Sequence, residues 1–484
     1  MVFCVLRSAN NLIMLHTKPI LTAFTWAVVR GRCLRKVQVR KLSKAAIYRD
    51  LLQLRNRGVF QSMHPEEWAP ELTRVVSSPQ AVYCGFDPTA NSLHVGNLLA
   101  IIALIHCQRA GHSPIAVVGG ATAAIGDPSG KTKDREPIDA EAIEKNVLGI
   151  SENLKRIFAN HEQYIWNNSS RKLQHLRILN NLDWYKNQNV VDFLSVVGRS
   201  FRMSQMLAKH SVKSRLQSSE GMCFTEFTYQ IFQAHDWLHL LENYNCRIQI
   251  GGNDQLGNIT AGHEYLCKKS KVNAFGLTVP LITTDSGVKL GKSDGNALWL
   301  SPDKTSPYEL YQFFLNLPDT EVEKYMKLFT FLSDDEIENL IRKQKASPES
   351  RLAQKAVAEE VVSLVHGTSG LTEAVRWTKA LWSEDINSLV SLSATELRRL
   401  FKNAPTTELL LEPGTTIMDL VIRAKCFNRT VDAERVIKAG GVYLNYSRVT
   451  NPDEVMVPGI HILPINITLM RIGKKNYHII RWIM

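Results

Sequence analysis

The 484-residue sequence predicts an α/β fold with a parallel sheet, then an α-helical region, then a small α+β module. Three observations carry this. First, a short β-rich apolar run, a Gly-containing turn and a helical pattern recur three times. The runs are AVYCGF with DPTANS and LHVGNLLAIIALI, SPIAVVGG with ATAAIGDPSG, and CRIQIGG with NDQLGNITAGHEYL. Such alternation argues for parallel strands joined by right-handed crossovers. Ligands of open sheets bind beyond the carboxyl ends of the strands, so all three turns are expected to face one crevice. Second, beyond about residue 300 strand signals thin out, and SPYELYQFFLNL, EVEKYMKLFTFL and SRLAQKAVAEEVVSLV read as helices. Third, TIMDLVIRAK, RTVDAERVIKAGG, VYLNYSRV and RIGKKNYHIIRW read as two helices and then strands, with Gly440 and Gly441 as a helix stop.

Taken in chain order, residues 1–49 hold ten Lys and Arg and no Asp or Glu, which leaves +2 of the +12 net charge for the rest. The body of the chain is therefore not a basic nucleic-acid binder as a whole. An acid-free, partly apolar start fits an organelle-targeting presequence, here 1–45, and a disordered basic arm is the alternative. The apolar run Pro19–Val29 is too short to span a bilayer, and no membrane partner is expected. Eight cysteines lie scattered without a C-x-x-C pair or zinc spacing, so no metal site is expected and the thiols read as reduced. The length implies two or three domains. The boundaries read as 46–300 for the sheet domain, 301–401 for the helices, 402–416 (KNAPTTELLLEPGTT) for a linker, and 417–484 for the terminal module.

Several strings carry chemistry. IGDPSGKT (125–132) imitates a phosphate loop, but Ile125 stands where G-x-x-x-x-G-K-[ST] needs its first glycine. His94 and Gly96 open an apolar helix, and a helix start attracts phosphate. Alone they describe an ordinary helix start beside a packing Gly. VKLGKS places Lys289 and Lys292 in a Gly-containing loop that could neutralise a polyphosphate; in isolation it also reads as a solvated basic turn. In FTEFTYQIFQAHDWLHLL, Tyr229, Gln233 and Asp236 form one stripe, and Phe227, Ile231, Ala234 and Leu238 form the opposite one. Periodicity alone makes the polar stripe a solvated face.

Together the strings are more specific. H-x-G-N at His94 and K-L-G-K-S at Lys289 are the paired signatures of class I aminoacyl-tRNA synthetases. YCGFDPTANSLHVGN, VGGATAAIGDPSGKT, FTEFTYQIFQAHD, QIGGNDQLGNITAG and KLGKSDGNALWL, in that order, resemble the tyrosyl-tRNA synthetase family. The resemblance runs from about residue 47 to the end, and with the presequence it is to a mitochondrial member.

The resemblance implies a Rossmann-like catalytic domain, an anticodon-facing helical region and a small RNA-binding module of the ribosomal S-four type. It implies that Asp127, with Tyr229 and Gln233, holds the α-ammonium of L-tyrosine, and that Tyr83 and Asp236 bond its phenol. Gln249 and Gln255 would orient the carboxyl end, and Asn181 would lie near the tyrosine subsite. On the ATP side it implies Cys84, Gly85, Asp87, Thr89, His94, Gly96, Asn97, Gly252, Asp254, Lys289 and Lys292, with Lys131 and Arg135 on a loop closing over pyrophosphate. The catalytic set would be Thr89, His94, Lys131, Arg135, Lys289 and Lys292, acting by position and charge. ATP would come with Mg²⁺ as substrate, and no permanently bound cofactor is implied. Tyrosine would be joined to AMP and then passed to tRNA(Tyr), in the mitochondrial matrix, by a homodimer. Arg435, Lys438 and Arg448 would touch RNA, while Tyr446 stands where a turn Gly is usual. Leu256 replaces a Trp of many bacterial relatives, and Asn97 replaces the second His of H-I-G-H. A non-catalytic RNA-binding or splicing scaffold and a tryptophan-specific relative are the competing readings.

Overall fold

The computed structural model describes residues 51, 53–131, 133–166, 172–282, 297–382, 396, 405–473 and 476–483. The presequence, Lys289 and Lys292 lie outside the described residues. Among those described, six strands form one sheet in the order β1-β6-β5-β2-β3-β4: β1 Ser62–His64, β2 Ala81–Phe86, β3 Ser113–Val118, β4 Arg177–Asn180, β5 Cys246–Gly252 and β6 Phe275–Val279. All pairs are parallel except β1 with β6.

The strands are apolar throughout because both faces are covered. Val82, Cys84 and Phe86 point into one core with Ala116 and Val118; Tyr83 points into the other with Ile115 and Val117. This is the two-residue alternation of a strand. Helices α1 Val95–Arg109 and α2 Ala140–Asn160 cover the first face. The second is covered by α3 Phe224–Tyr244 and α4 Leu256–Ser270. α1 is apolar around its whole circumference, as a helix buried on all sides must be.

The helical region, α5 Pro307–Leu315, α6 Val322–Phe329, α7 Asp334–Ala346 and α8 Leu352–Trp382, shares the first core and does not form a separate one. Arg156 and Asn160 of α2 donate to the carbonyls of Leu300, Val365 and Leu364 at 2.6, 3.0 and 3.1 Å. α8 breaks at Gly367 (φ 72°).

The terminal module has its own core and a sheet β7-β11-β10-β8-β9, with β7 Thr406–Leu410, β8 Val442–Leu444, β9 Ser447–Val449, β10 Ile467–Ile472 and β11 Asn476–Ile483. Its helices are α9 Ile417–Arg423 and α10 Thr430–Lys438. One expectation is corrected here. Residues 406–410, read as part of a linker, pair parallel with β11 as an edge strand. The β8–β9 turn holds Asn445 and Tyr446 at φ 48° and 70°. Tyr446 takes the usual place of a glycine and is held there by its hydroxyl, which donates to the Ala380 carbonyl of α8. Among the described residues, no helix is long and apolar enough to cross a membrane.

Candidate active site

The chain runs β2, β3, β4 in one direction and then returns to the far side of β2 for β5 and β6. The reversal between β2 and β5 opens a crevice at the carboxyl ends. It measures about 680 Å³, and all three turns line it: Asp87 and Thr89, then Gly119 and Asp127, then Gly252 and Asp254. Apart from Lys289 and Lys292, every residue implied for tyrosine or ATP faces it.

At one end, α3 starts on Cys223, whose sulfur accepts from the Glu226 N–H at 3.5 Å. It presents Tyr229, Gln233 and Asp236 to the crevice, while Phe227, Ile231, Ala234 and Leu238 pack in the core. The polar stripe is therefore an interior wall: Asp236 is only 5% exposed. Its carboxylate accepts from Asn181 Nδ2 at 3.0 Å and from Trp184 Nε1 at 2.9 Å. Burial pushes its pKa up to about 6, against the pull of those donors. The Tyr83 hydroxyl is buried and has no hydrogen-bond partner among the described residues, and neither do Gln233 Oε1 and Gln249 Oε1. Burial, reinforced by the charge of Asp236, holds the Tyr83 phenol well above its ordinary pKa, so it stays a donor.

Asp127 accepts from Gln255 Nε2 at 2.6 Å, from Ser129 N at 3.0 Å and from Asn258 Nδ2 at 3.3 Å. Gln255 is thus tied to Asp127. The Tyr229 hydroxyl donates to Asp87 at 2.7 Å, not to Asp127. Thr122 also donates to Asp87 at 2.7 Å, and burial pushes that carboxyl up to about 6. Asp87 and Asp127 together make an electronegative recess suited to a cation. Gly119 is required beside it, because a Cβ there would collide with the Asp87 carboxylate and the Thr122 hydroxyl.

At the other end, His94 caps α1 in extended conformation (φ −118°, ψ 170°), and its N–H donates to Asn97 Oδ1 at 3.1 Å. His94, Gly96 and Asn97 line the crevice, so the positive end of the α1 dipole faces it. Thr89, Gly85 and Asp254 line the same crevice; Cys84 is buried, and desolvation holds its thiol up at about 12. Chain segments flanking the undescribed lysines leave at Ile282 and return at Ala297, both on the crevice. The returning segment is pinned to the start of α1 by Val95 N to Leu298 O and Leu300 N to Leu93 O, each 2.8 Å.

The IGDPSG turn bends at Gly126 (φ 85°) and Gly130 (φ 66°), and α2 begins only at Ala140. No helix start follows the lysine, so this is not a P-loop. Lys131 is exposed at the rim, and Arg135 Nε donates to the Asp127 carbonyl at 2.9 Å.

Sequence reasoning passes over Trp184, Thr122, Asn258, Arg215 and Glu226. Trp184 carries a signal, since it stands one helical turn beyond Asn181. In the terminal module, Arg435 and Lys438 are exposed and pair with Asp432 and Glu434. Arg448 donates to the Gly440 and Ala439 carbonyls at 3.0 and 2.7 Å, so it caps α10.

A nucleotide-sized crevice at a switch point, with an HxGN helix start, is the layout of a class I synthetase domain. The family model for tRNA synthetases class I (W and Y) matches residues 77–383, and the chain belongs to that family. A second model, the tyrosine–tRNA ligase SYY-like C-terminal domain, matches residues 396–480. The chain is 51% identical over 438 residues to the mitochondrial tyrosine–tRNA ligase of Drosophila melanogaster, covering 90% of this chain and 94% of that one. It is 46% identical over 476 residues to the Homo sapiens mitochondrial enzyme, covering 96% and 99%. A C-terminally truncated mitochondrial tyrosyl-tRNA synthetase of Aspergillus nidulans has a similar structure, with a TM-score of 0.62 at 32% identity, covering 69% of this chain and 94% of that one. Within the class, the chain is therefore a member of the tyrosine–tRNA ligases.

Proposed function

We propose that this enzyme attaches L-tyrosine to mitochondrial tRNA(Tyr) through a tyrosyl-adenylate. One observation carries the reading: the crevice sets a buried, doubly bonded Asp236 and the unpartnered Tyr83 hydroxyl at one end and the first turn of α1 at the other. The first pair suits a phenol, which donates to the carboxylate and accepts from Tyr83. Asp127, Tyr229 and Gln233 suit the ammonium, and the Gln249 oxygen is a further acceptor within reach of the amino acid.

The tyrosine carboxylate attacks the α-phosphorus of ATP, forming the acyl–phosphate bond and releasing pyrophosphate. Magnesium arrives with the nucleotide substrate. The ribose side falls to Asp254 and Cys84. His94, Gly96, Asn97 and Thr89 answer the phosphates, and Lys131 and Arg135 the departing pyrophosphate. The resemblance adds Lys289 and Lys292. A hydroxyl of the tRNA 3′ end then displaces AMP from the carbonyl. These side chains position and neutralise, and none forms a covalent bond.

The terminal module is read as an RNA contact through Arg435 and Lys438, with Arg448 shaping the end of α10. Val190, Val191 and Met203 are apolar side chains at 67, 67 and 58% exposure, of the kind a homodimer contact would cover. The acid-free start suits delivery to the mitochondrial matrix.

The deciding experiment is tyrosine-dependent ATP–pyrophosphate exchange by protein lacking residues 1–45. Exchange with tyrosine and none with tryptophan is expected. Absence of exchange leaves an RNA-binding scaffold, and a preference for tryptophan overturns the substrate. Light scattering of the same protein reads a dimer mass, which Val191→Asp is expected to halve.

A further inference from the structure

Arg215 is a buried charge outside the crevice, 1% exposed on the short helix His210–Leu216. Its guanidinium gathers two separate stretches of chain. Nη1 donates to the Lys133 carbonyl and to Glu226 Oε2, both at 2.9 Å, and Nη2 donates to the Asp134 carboxylate. Nε donates to the Gly221 carbonyl at 3.2 Å. Glu226, in the first turn of α3, is itself buried, and its other oxygen accepts from the Arg135 N–H at 2.6 Å. Residues 133–135 are thereby fastened to the helix that carries Tyr229, Gln233 and Asp236. Just upstream, Lys131 sits at the rim, and Arg135 turns its side chain back to the Asp127 carbonyl.

A buried ion cluster is poor evidence of net stabilisation, because desolvation cancels most of its attraction. What a forked, planar donor does well is fix direction among several acceptors at once. We propose that Arg215 is a positioning residue for the pyrophosphate side of the reaction: through Asp134, Lys133 and Glu226 it sets where the segment bearing Lys131 and Arg135 stands relative to α3. The inference rests on the activation reaction proposed above. Arg215 touches no substrate. Its effect passes through the two cations at the rim, so it falls on phosphate chemistry and spares the phenol pocket.

The test uses Asp134→Ala, which removes the loop's side-chain tie to Arg215 but leaves the Arg215–Glu226 pair and the bonds of Lys133 and Arg135 intact, beside Arg215→Lys and Arg215→Met. Each is measured by thermal melting, by titration of adenylate-forming sites, and by exchange kinetics per titrated site. Asp134 is exposed, so Asp134→Ala is expected to melt within about 2 °C of the parent. Its KM for tyrosine stays the same, while its exchange kcat per site falls about ten- to a hundredfold, the range that a small misplacement costs. Arg215→Lys keeps the charge without the fork and is expected to show the same kcat loss with a smaller fall in melting temperature than Arg215→Met. An unchanged kcat per titrated site in Asp134→Ala and Arg215→Lys overturns the proposal, and so does a loss carried by the tyrosine KM. A parent protein without exchange would instead refute the proposed reaction, which keeps the two failures distinct.

Discussion

Burying the Asp236 carboxylate is costly. Its pKa stands at about 6 against an ordinary 3.8, so the folded state binds the proton more tightly than the unfolded chain does. Its contribution to stability is complete below about pH 4 and is lost as pH rises through about 6. A displacement of this size corresponds to roughly 3 kcal/mol. Asp236→Asn is therefore expected to flatten the fall in melting temperature between about pH 4 and pH 6, as read by calorimetry; an unaltered slope would count against the burial argument. The same protonation withdraws the charged acceptor from the phenol, so the parent KM for tyrosine should climb as pH drops below about 6. Tyr83→Phe removes one neutral hydrogen bond of about 0.5–1.5 kcal/mol, and a KM for tyrosine raised several-fold, with the KM for ATP unmoved, is the expected kinetic signature.

Among the elements, α8 breaks at a single residue. Gly367 has φ 72°, and a Cβ there would press on Tyr164 Cε2 at 3.2 Å and Asn160 Oδ1 at 3.3 Å. Gly367→Ala is expected to destabilise the chain by about 1–3 kcal/mol, seen as a lower midpoint in urea with the m-value retained. The strands and helices of the sheet domain can be read from sequence because their signals are local: period-two apolar runs, Gly turns, and His94 at a helix start. The strand at Thr406–Leu410 cannot. Its exposed Thr and Glu look like linker, and its partner Arg481 lies 73 residues on from Glu408. The site divides in the same way. Crevice-lining residues sit in motifs, whereas Arg215 meets Asp134 across 81 residues and leaves no pattern in either string. The Tyr229–Asp87 bond spans 142 residues and is equally silent.

On the scale of the whole molecule, one core runs from the sheet into α5–α8, and a smaller cluster around Trp377, Leu463 and Ile479 joins α8 to the terminal module. Tyr446 closes that joint. Tyr446→Phe deletes its bond to Ala380 while keeping the ring, so pyrophosphate exchange is expected to persist unchanged as tRNA charging slows. Equal losses in both assays would mean the joint supports the entire fold and not just the RNA contact proposed for the terminal module.

Strand β2 carries Tyr83 at the end proposed for the phenol and Gly85 on the wall proposed for the nucleotide, two residues apart on one continuous backbone. At roughly 3.3 Å per residue that spacing is a ruler without a hinge. A redesign meant to admit a bulkier aromatic amino acid cannot gain length along it without dragging the nucleotide wall out of line. Room has to be carved sideways, from α3 and the Asn181–Trp184 turn, where side chains alone decide how deep the pocket goes.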